Sequence, residues 1–386
     1  MTMRIMLHTN APWASTGYGN QAALFGIRWK ADGHAVGYSA TWGLEGAVLT
    51  YRDMPVFPRY RHPYGMDVAL PNAVNFGADV LITLLDVWVF NARELQTPKM
   101  PWIAWYPVDS HPAPNDVIAG ASGAWKRVTI SKHGQRMMEQ AGLESTYIPH
   151  GVDTKAFGRG DMREARKFLK LPESAFIVGI VGANKGFPPR KAWTEQIMAF
   201  ARFKRKHPDA LLYLHTELYG DAVNLAAILE ANGLAPGIDY IVPDRYLASV
   251  TGFQTNHMVA TYNAMDVHML VSAGEGFGIP LVEAQACGVP VITGAWSACD
   301  ELCFSGWKVA QEDAQPFMMS QGAFWYYPKV DAIVDKLNMA YEVRGNEDYR
   351  KRARDGALAY DADKINEKYW RPFWQQVEQD LKEYRK

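Results

Sequence analysis

The sequence predicts an α/β chain built as two doubly wound parallel-sheet domains. Three observations carry this expectation. Short β-rich apolar runs alternate with longer helical patterns, the signature of parallel sheets with crossover helices. The runs are continuously apolar rather than alternating, as in strands covered on both faces. The alternation occurs twice along 386 residues, a length that suits two or three domains, each able to bury its own core.

In chain order, the first set of strand-like runs is Arg4–His8, Val80–Leu84, Trp102–Tyr106, Arg127–Ile130 and Thr146–Ile148. The second is Phe176–Val181, Leu211–His215, Tyr240–Val242, Val267–Val271 and Pro290–Thr293. Between them lie the turn-rich HGVDTKAFGRGD and the charged helical MREARKFLKLP. AFIVGIVGA then starts a fresh strand ending in Gly, as a second Rossmann-like unit would. The boundary is expected between His150 and Pro172, giving domains over 1–160 and 161–363. The tail, 364–386, reads as a helix, because Ile365, Tyr369, Phe373, Val377 and Leu381 recur every four residues. Pro372 either kinks this helix or starts its last segment. A tail this aromatic must pack on something, and a course back across the first domain is expected.

Composition narrows the function classes. With 40 Lys+Arg and 41 Asp+Glu, the net charge is −1. Residues 1–160 carry +2 and the remainder −3, so charge alone gives no case for a nucleic-acid partner, although a sum can hide a local patch. No window of about 18 uninterrupted apolar residues suggests a membrane span, which leaves peripheral membrane contact open. The start, MTMRIMLHTNAP, runs directly into a strand and lacks a signal-peptide layout. The 3 cysteines, Cys287, Cys299 and Cys303, read as reduced thiols in a cytoplasmic setting rather than a zinc site. The 13 Trp and 19 Tyr suit ligand clefts, and equally large core residues.

The most informative segment is Ser272–Glu301, SAGEGFGIPLVEAQACGVPVITGAWSACDE. It begins at the end of a buried strand. Gly274, Gly276 and Gly278 form a loop that lets backbone approach a ligand, and Pro280 suits a first helical turn. The following helix should present free N–H groups and a positive dipole end, a seat for a diphosphate, at the carboxyl end of a strand where open α/β sheets bind ligands. Glu275 lies in the loop, and Glu283 is expected in the helix's first turn, both facing one site. The plainer alternative makes Glu275 a solvated loop residue and Glu283 a favourable first-turn carboxylate.

E-G-F-G-I-P-L-V-E, two glutamates separated by seven residues around G-F-G, strongly resembles the signature of retaining glycosyltransferases of the GT-B fold, glycosyltransferase family 4. TYNAMDVHMLVSAGEGFG and EAQACGVPVITG resemble that family's approach and exit. The resemblance is dense over about Ile177–Glu301 and weaker over His8–Phe157. It implies two Rossmann-like domains facing a cleft and a metal-independent transfer of a sugar from a nucleotide-diphosphate sugar to a hydroxyl. It implies that Glu283 holds ribose hydroxyls and that Glu275 contacts the donor sugar. Gly276, Phe277, Gly278 and Ile279 would line the donor, with Leu281 and Val282 against the diphosphate. Arg190 and Lys191, before the helix that follows Phe176–Val181, match the family's phosphate-binding cations. Asn184 stands where a first arginine is usual. Cations there are unfavourable beside a helix N-terminus unless an anion compensates, and they would stabilise a leaving diphosphate.

In the first domain, Gly17 and Gly19 resemble the family's first loop, near donor phosphates and acceptor. Asp109 stands about where many members place a cleft histidine, with His111 as the alternative. Ser131 resembles a cleft-facing strand end, and His150-Gly151-Val152-Asp153 stands for the usual Asn-Gly-Val-Asp. Of the aromatic residues Trp13, Tyr18, Trp42, Trp88 and Trp105, most are expected in the core. The one Asp-x-Asp spacing, Asp361-Ala362-Asp363, reads as a helix cap and not a metal site, so no metal is expected.

The implied donor is a UDP-, GDP- or ADP-sugar, with UDP preferred. Its base and hexose pockets would depend on loops such as VPDRYLASVTG. The acceptor is a glycan, a lipid-linked glycan or a protein. Two rival readings stand beside this one. The chain could be a nucleotide-sugar-binding protein without transfer, or a transferase acting on modified DNA bases, which would need a positive groove.

Overall fold

The computed structural model describes residues 2–244 and 246–385. The chain forms two compact units, each with its own sheet. One comprises Met1–Asp153, Gln321–Ala323 and Asp361–Lys386; the other comprises Thr154–Ser320 and Phe324–Tyr360.

The first unit holds β1 (Arg4–Thr9), β2 (Ala35–Ala40), β3 (Leu49–Tyr51), β4 (Met54–Phe57), β5 (Val80–Leu84), β6 (Trp102–Tyr106), β7 (Lys126–Thr129) and β8 (Thr146–Tyr147). They lie in the order β3-β4-β2-β1-β5-β6-β7-β8. All pairs are parallel except β3–β4. The direction of winding reverses between β1 and β5, the topological switch point of a Rossmann-like sheet. Every residue of β5 and β6 is buried, which is why their sequence is continuously apolar. β2, read as AVGYSA, is also central, but Gly37 and Ser39 interrupt its apolar run.

The tail belongs to this first unit. Asp361 Oδ1 accepts the Asp363 N–H at 3.0 Å, so the Asp-x-Asp spacing is a cap. A short helix, Ala362–Ile365, leads into a single π turn, Asn366–Trp370, and then into the helix Arg371–Tyr384, with Pro372 in its first turn. The wider turn changes the inward face: Trp370, not the Tyr369 expected from four-residue spacing, is fully buried. Trp370 packs 4.8 Å from Trp105 and 4.9 Å from Trp29, and Trp374 lies 5.1 Å from Trp29. His150 stands edge-on to Trp105 at 5.4 Å. The Gln21 side chain holds the adjoining Gly151 by two hydrogen bonds of 2.9 Å, donating to its carbonyl and accepting from its N–H.

The second unit holds β9 (Phe176–Val181), β10 (Ala210–His215), β11 (Tyr240–Ile241), β12 (Val267–Leu270), β13 (Val291–Gly294) and β14 (Gly306–Val309). Their order is β11-β10-β9-β12-β13-β14, all parallel. This is again a Rossmann-like sheet, with its switch point between β9 and β12. Phe176, Trp193, Phe200, Leu212, Met269, Ile333 and Leu337 are central in its core. After β14 the chain forms an antiparallel hairpin, β15 (Ala314–Met318) and β16 (Phe324–Pro328). No helix among the described residues is long and apolar enough to cross a membrane.

Candidate active site

The candidate residues of the second unit follow β9 and β12, the two strands that flank its switch point, where open α/β sheets bind ligands. After β9 the chain makes a tight excursion before the helix Trp193–Lys204, entering it through Ala192 at φ 48°. Arg190 and Lys191 therefore precede the helix instead of lying in its first turn. The Arg190 carbonyl accepts the Ala273 N–H at 2.8 Å, tying the two loops together. The Gln196 side chain adds a second tie, donating to Lys191 O at 2.6 Å and accepting from Val271 N at 3.1 Å.

Glu275, on the loop after β12, is buried, unlike a solvated loop residue. Its Oε2 lies 2.8 Å from Arg190 Nη1, and its Oε1 is paired with Lys191 Nζ. Ser272 Oγ donates to the same Oε1 at 2.8 Å. Burial by itself would raise the Glu275 pKa, but Arg190 and Lys191 overcome it and lower the value to about 2. Two cations and one carboxylate leave the cluster one positive charge in excess. Ser297, at φ 52°, accepts the Glu275 N–H on its Oγ at 3.1 Å and fixes the loop from the far side.

The helix Ile279–Ala286 begins directly after this loop. Gly278, at φ 110°, is its N-cap, a conformation that side chains rarely adopt. Because the helix starts at Ile279, Glu283 is its fifth residue, a turn later than expected, and shares its partly exposed face with Ile279. Tyr262 OH donates to Glu283 Oε2 at 2.7 Å. Burial raises the Glu283 pKa to about 7, against the pull of that hydrogen bond.

The other candidate residues of this unit have the following surroundings. Asn184 has its partners within its own unit. It is buried, its Nδ2 donates to Glu217 O at 3.1 Å and Val223 O at 2.7 Å, and its Oδ1 accepts from Val223 N at 3.2 Å. Its amide is thus committed to pinning the 217–223 loop. The side chains of Leu281 and Val282 lie in the core, and the Leu281 N–H is taken by Gly278 O at 2.9 Å, so it is not among the donors the helix end leaves over. The Phe277 ring is buried, 5.9 Å from Tyr360. Gly276 lies buried in the loop between Glu275 and Phe277. In the segment VPDRYLASVTG, Arg245 lies outside the described residues.

In the first unit, Thr16 caps the helix Gly17–Ala31 by accepting from Gly19 N. A Cβ at Gly19 would come within 2.4 Å of Ala14 O, so this glycine is required by the packing of helix on loop. Asp109 lies three residues beyond β6 and is partly buried. Its neighbour Ser110 offers its carbonyl to His133 Nε2 at 2.9 Å. His111 is exposed, with Nδ1 3.1 Å from Met137 Sδ. Ser131 caps the helix Lys132–Gln140 through Gly134 N. Trp105 is core, but Trp13, Trp42 and Trp88 are 40%, 58% and 51% exposed, against expectation.

Ser272, Ser297 and Tyr262 escaped the sequence reading. Ser272 and Ser297 lie in the informative segment, but their partnership with Glu275 exists only after folding. Tyr262 reaches Glu283 from another helix, with no local signal. Among the described residues no group of three His, Cys, Asp or Glu could hold a metal ion.

Comparison with known proteins finds similarity over the second unit. Residues 176–320 match the family model described as Glycosyl transferases group 1. The D-inositol 3-phosphate glycosyltransferase of Stackebrandtia nassauensis is 31% identical over 162 residues, 39% of this chain and 33% of that protein. The enzyme of the same description from Geodermatophilus obscurus is 32% identical over 150 residues, 38% of this chain and 32% of its own. The match thus spans about a third of the length of these curated relatives. Among solved structures, sucrose-phosphate synthase from Thermosynechococcus elongatus superposes with a TM-score of 0.75 at 18% identity, over 97% of this chain and 99% of that one. Anabaena Alr3699/HepE in complex with UDP-glucose superposes with a TM-score of 0.70 at 17% identity, over 97% and 100%. At these identities the structural likeness establishes the fold, that of the GT-B glycosyltransferases.

Proposed function

We propose that the chain is a retaining glycosyltransferase that uses a nucleotide-diphosphate sugar and needs no metal. The observation that carries this reading is the convergence of Arg190, Lys191 and Glu275 at the β9/β12 switch point, beside the N-terminus of the helix Ile279–Ala286. The match of residues 176–320 to the glycosyltransferase model supports it.

In this reading the donor diphosphate lies against Arg190, Lys191 and the positive dipole end of the helix Ile279–Ala286. Glu275 holds the two cations in place beforehand, so little reorganisation is left for the reaction itself. As the bond from the anomeric carbon to the phosphate oxygen breaks, the leaving diphosphate gains charge beside fixed cations. The acceptor hydroxyl attacks the same face and passes its proton to the departing phosphate oxygen. Glu283, as carboxylate, accepts the ribose hydroxyls. The proposed roles in the first unit are Asp109 as a polar group for the reacting sugar or acceptor, and the Gly17–Gly19 helix start as a donor for phosphate. A UDP-sugar is the preferred donor: the Anabaena protein named above was solved with UDP-glucose.

The test is turnover with UDP-, GDP- and ADP-glucose, following release of nucleoside diphosphate and the anomeric configuration of the product by NMR. Retention, undiminished in EDTA, is expected with one nucleotide series. Inversion would overturn the retaining assignment, and no diphosphate release from any donor would overturn the transferase itself. Lys191→Ala should lower kcat/KM by about a hundredfold or more, as for loss of one preorganised charge-stabilising group.

A further inference from the structure

The hairpin β15–β16 is not used by the proposed transfer chemistry, yet it is built against the same loops. Tyr326 N donates to Ala273 O at 2.9 Å, and Tyr327 OH donates to Pro189 O at 3.4 Å, so β16 borders the segment that carries Arg190. The register pairs Gln315 with Tyr327 and Phe317 with Trp325 on one face, and Pro316 with Tyr326 and Met318 with Phe324 on the other. The second face is anchored inward, with Tyr326 6.3 Å from Trp296. The first face is a run of rings: Tyr327 at the Arg190 segment, Phe317 edge-on to it at 5.7 Å, and Trp325 opposite Phe317. Phe317 is 40% exposed, Gln315 is exposed, and Trp325 and Tyr327 are half-buried.

We propose that this face is an acceptor subsite that takes the apolar side of a neutral pyranose, with Phe317 as the stacking ring. Two properties select this occupant. Residues 314–328 contain no charged side chain. A surface for single-stranded nucleic acid or for anionic lipid needs cations that track phosphate along it, and residues 314–328 supply none, while the neighbouring Arg190 and Lys191 are already paired with Glu275. What it has is rings for a C–H face and uncharged amide and hydroxyl groups at Gln315 and Tyr327 for sugar hydroxyls. The face is also continuous with the cation cluster through Tyr327, so a ring stacked there lies along the edge of the donor segment. The inference rests on the glycosyltransferase reading and adds to it the chemical class of the acceptor.

The experiment compares wild type with Phe317→Ala, Phe317→Tyr and Met318→Ala, the last on the opposite face and 57% exposed. Acceptor KM is measured over a panel of neutral mono- and disaccharides, and hydrolysis of the accepted nucleotide sugar is measured without acceptor. For Phe317→Ala, an acceptor KM raised about tenfold, as expected for loss of one aromatic stacking partner, with unchanged donor hydrolysis and thermal midpoint, supports the proposal. Phe317→Tyr and Met318→Ala should both keep the wild-type acceptor KM. Transfer to a disaccharide with unaltered KM in Phe317→Ala overturns the subsite. So does exclusive transfer to single-stranded DNA or to a phospholipid vesicle, and both results leave the glycosyltransferase reading standing. Neither transfer nor hydrolysis from any donor fails that reading itself, and the subsite with it.

Discussion

Glu275 is a carboxylate held ionised in a place where burial alone would protonate it, and the holding is done by Arg190 and Lys191. Its neutral isostere should therefore be costly. Glu275→Gln leaves two neighbouring cations without their counter-ion, and a loss of about 3 kcal/mol in urea unfolding is expected, near the value for breaking a buried pair from one side. The pH dependence has a fixed sign. The folded pKa is lowered from 4.5 to about 2, so the contribution is full above about pH 4.5 and disappears as pH falls toward 2; Glu275→Gln should flatten the wild-type profile in that window alone. Glu283 behaves oppositely. Its pKa of about 7 means that a donor requiring the carboxylate should bind more weakly as pH drops below neutrality. The Tyr262 hydrogen bond favours the charged form, so Tyr262→Phe should move the midpoint of donor affinity against pH upward, which calorimetry at several pH values would measure. At this scale the sequence disclosed Glu275, Arg190 and Lys191, because they lie in short segments with recognisable spacing. The bonds of Asn184 were not legible, because the same loop position can serve a ligand or a backbone, and only the fold shows its amide bonded to residues 217–223.

At the scale of elements, strands with an unbroken apolar run were legible and those with an interrupted run were not. β5, β6 and β9 have the bounds their apolar runs predict. β2 and β14 were passed over because Gly37, Ser39 and Lys308 break the run. The hairpin β15–β16 was passed over because its aromatic run has no crossover helix to mark it. The tail gives the sharpest case. A four-residue period names Tyr369 as inward, but the π turn Asn366–Trp370 spends one extra residue and delivers Trp370 to the core. Trp370→Ala should thus cost about 3–5 kcal/mol, the range for removing a fully buried aromatic ring. Tyr369→Ala, half-buried and in contact with Tyr147 at 5.7 Å, should cost under about 1.5 kcal/mol, the value of one aromatic pair. Urea midpoints of the two variants would decide between the period and the π turn, and equal losses would contradict the structure.

For the whole molecule, a pronounced acid sensitivity is expected despite the near-zero net charge. His8, His133 and His150 in the first unit and His268 in the second are all buried. Burial lowers their pKa values to about 4, 4, 3 and 3. The unfolded chain would take up protons on these rings near 6.5, where the folded chain refuses them. The unfolded state therefore binds more protons between about pH 6.5 and 4, and stability must rise with pH across that window. Glu283 works in the other direction, since its raised pKa favours the folded form as pH falls from about 7 to 4.5. Burial raises the Glu195 pKa as well, but it also lowers that of His215 to about 4, so the rings outnumber the carboxyls, and the cations hold Glu275 ionised down to about pH 2. Both units should accordingly lose stability together on mild acidification. Urea midpoints recorded at pH 7.5, 6 and 5 should fall at each step, and His268→Asn, which removes one titrating ring from the second unit's core, should make that fall shallower. A midpoint that stays level from pH 7.5 to 5 would mean that these rings are not enclosed as neutral imidazoles, and the cores of both units would have to be redrawn around them.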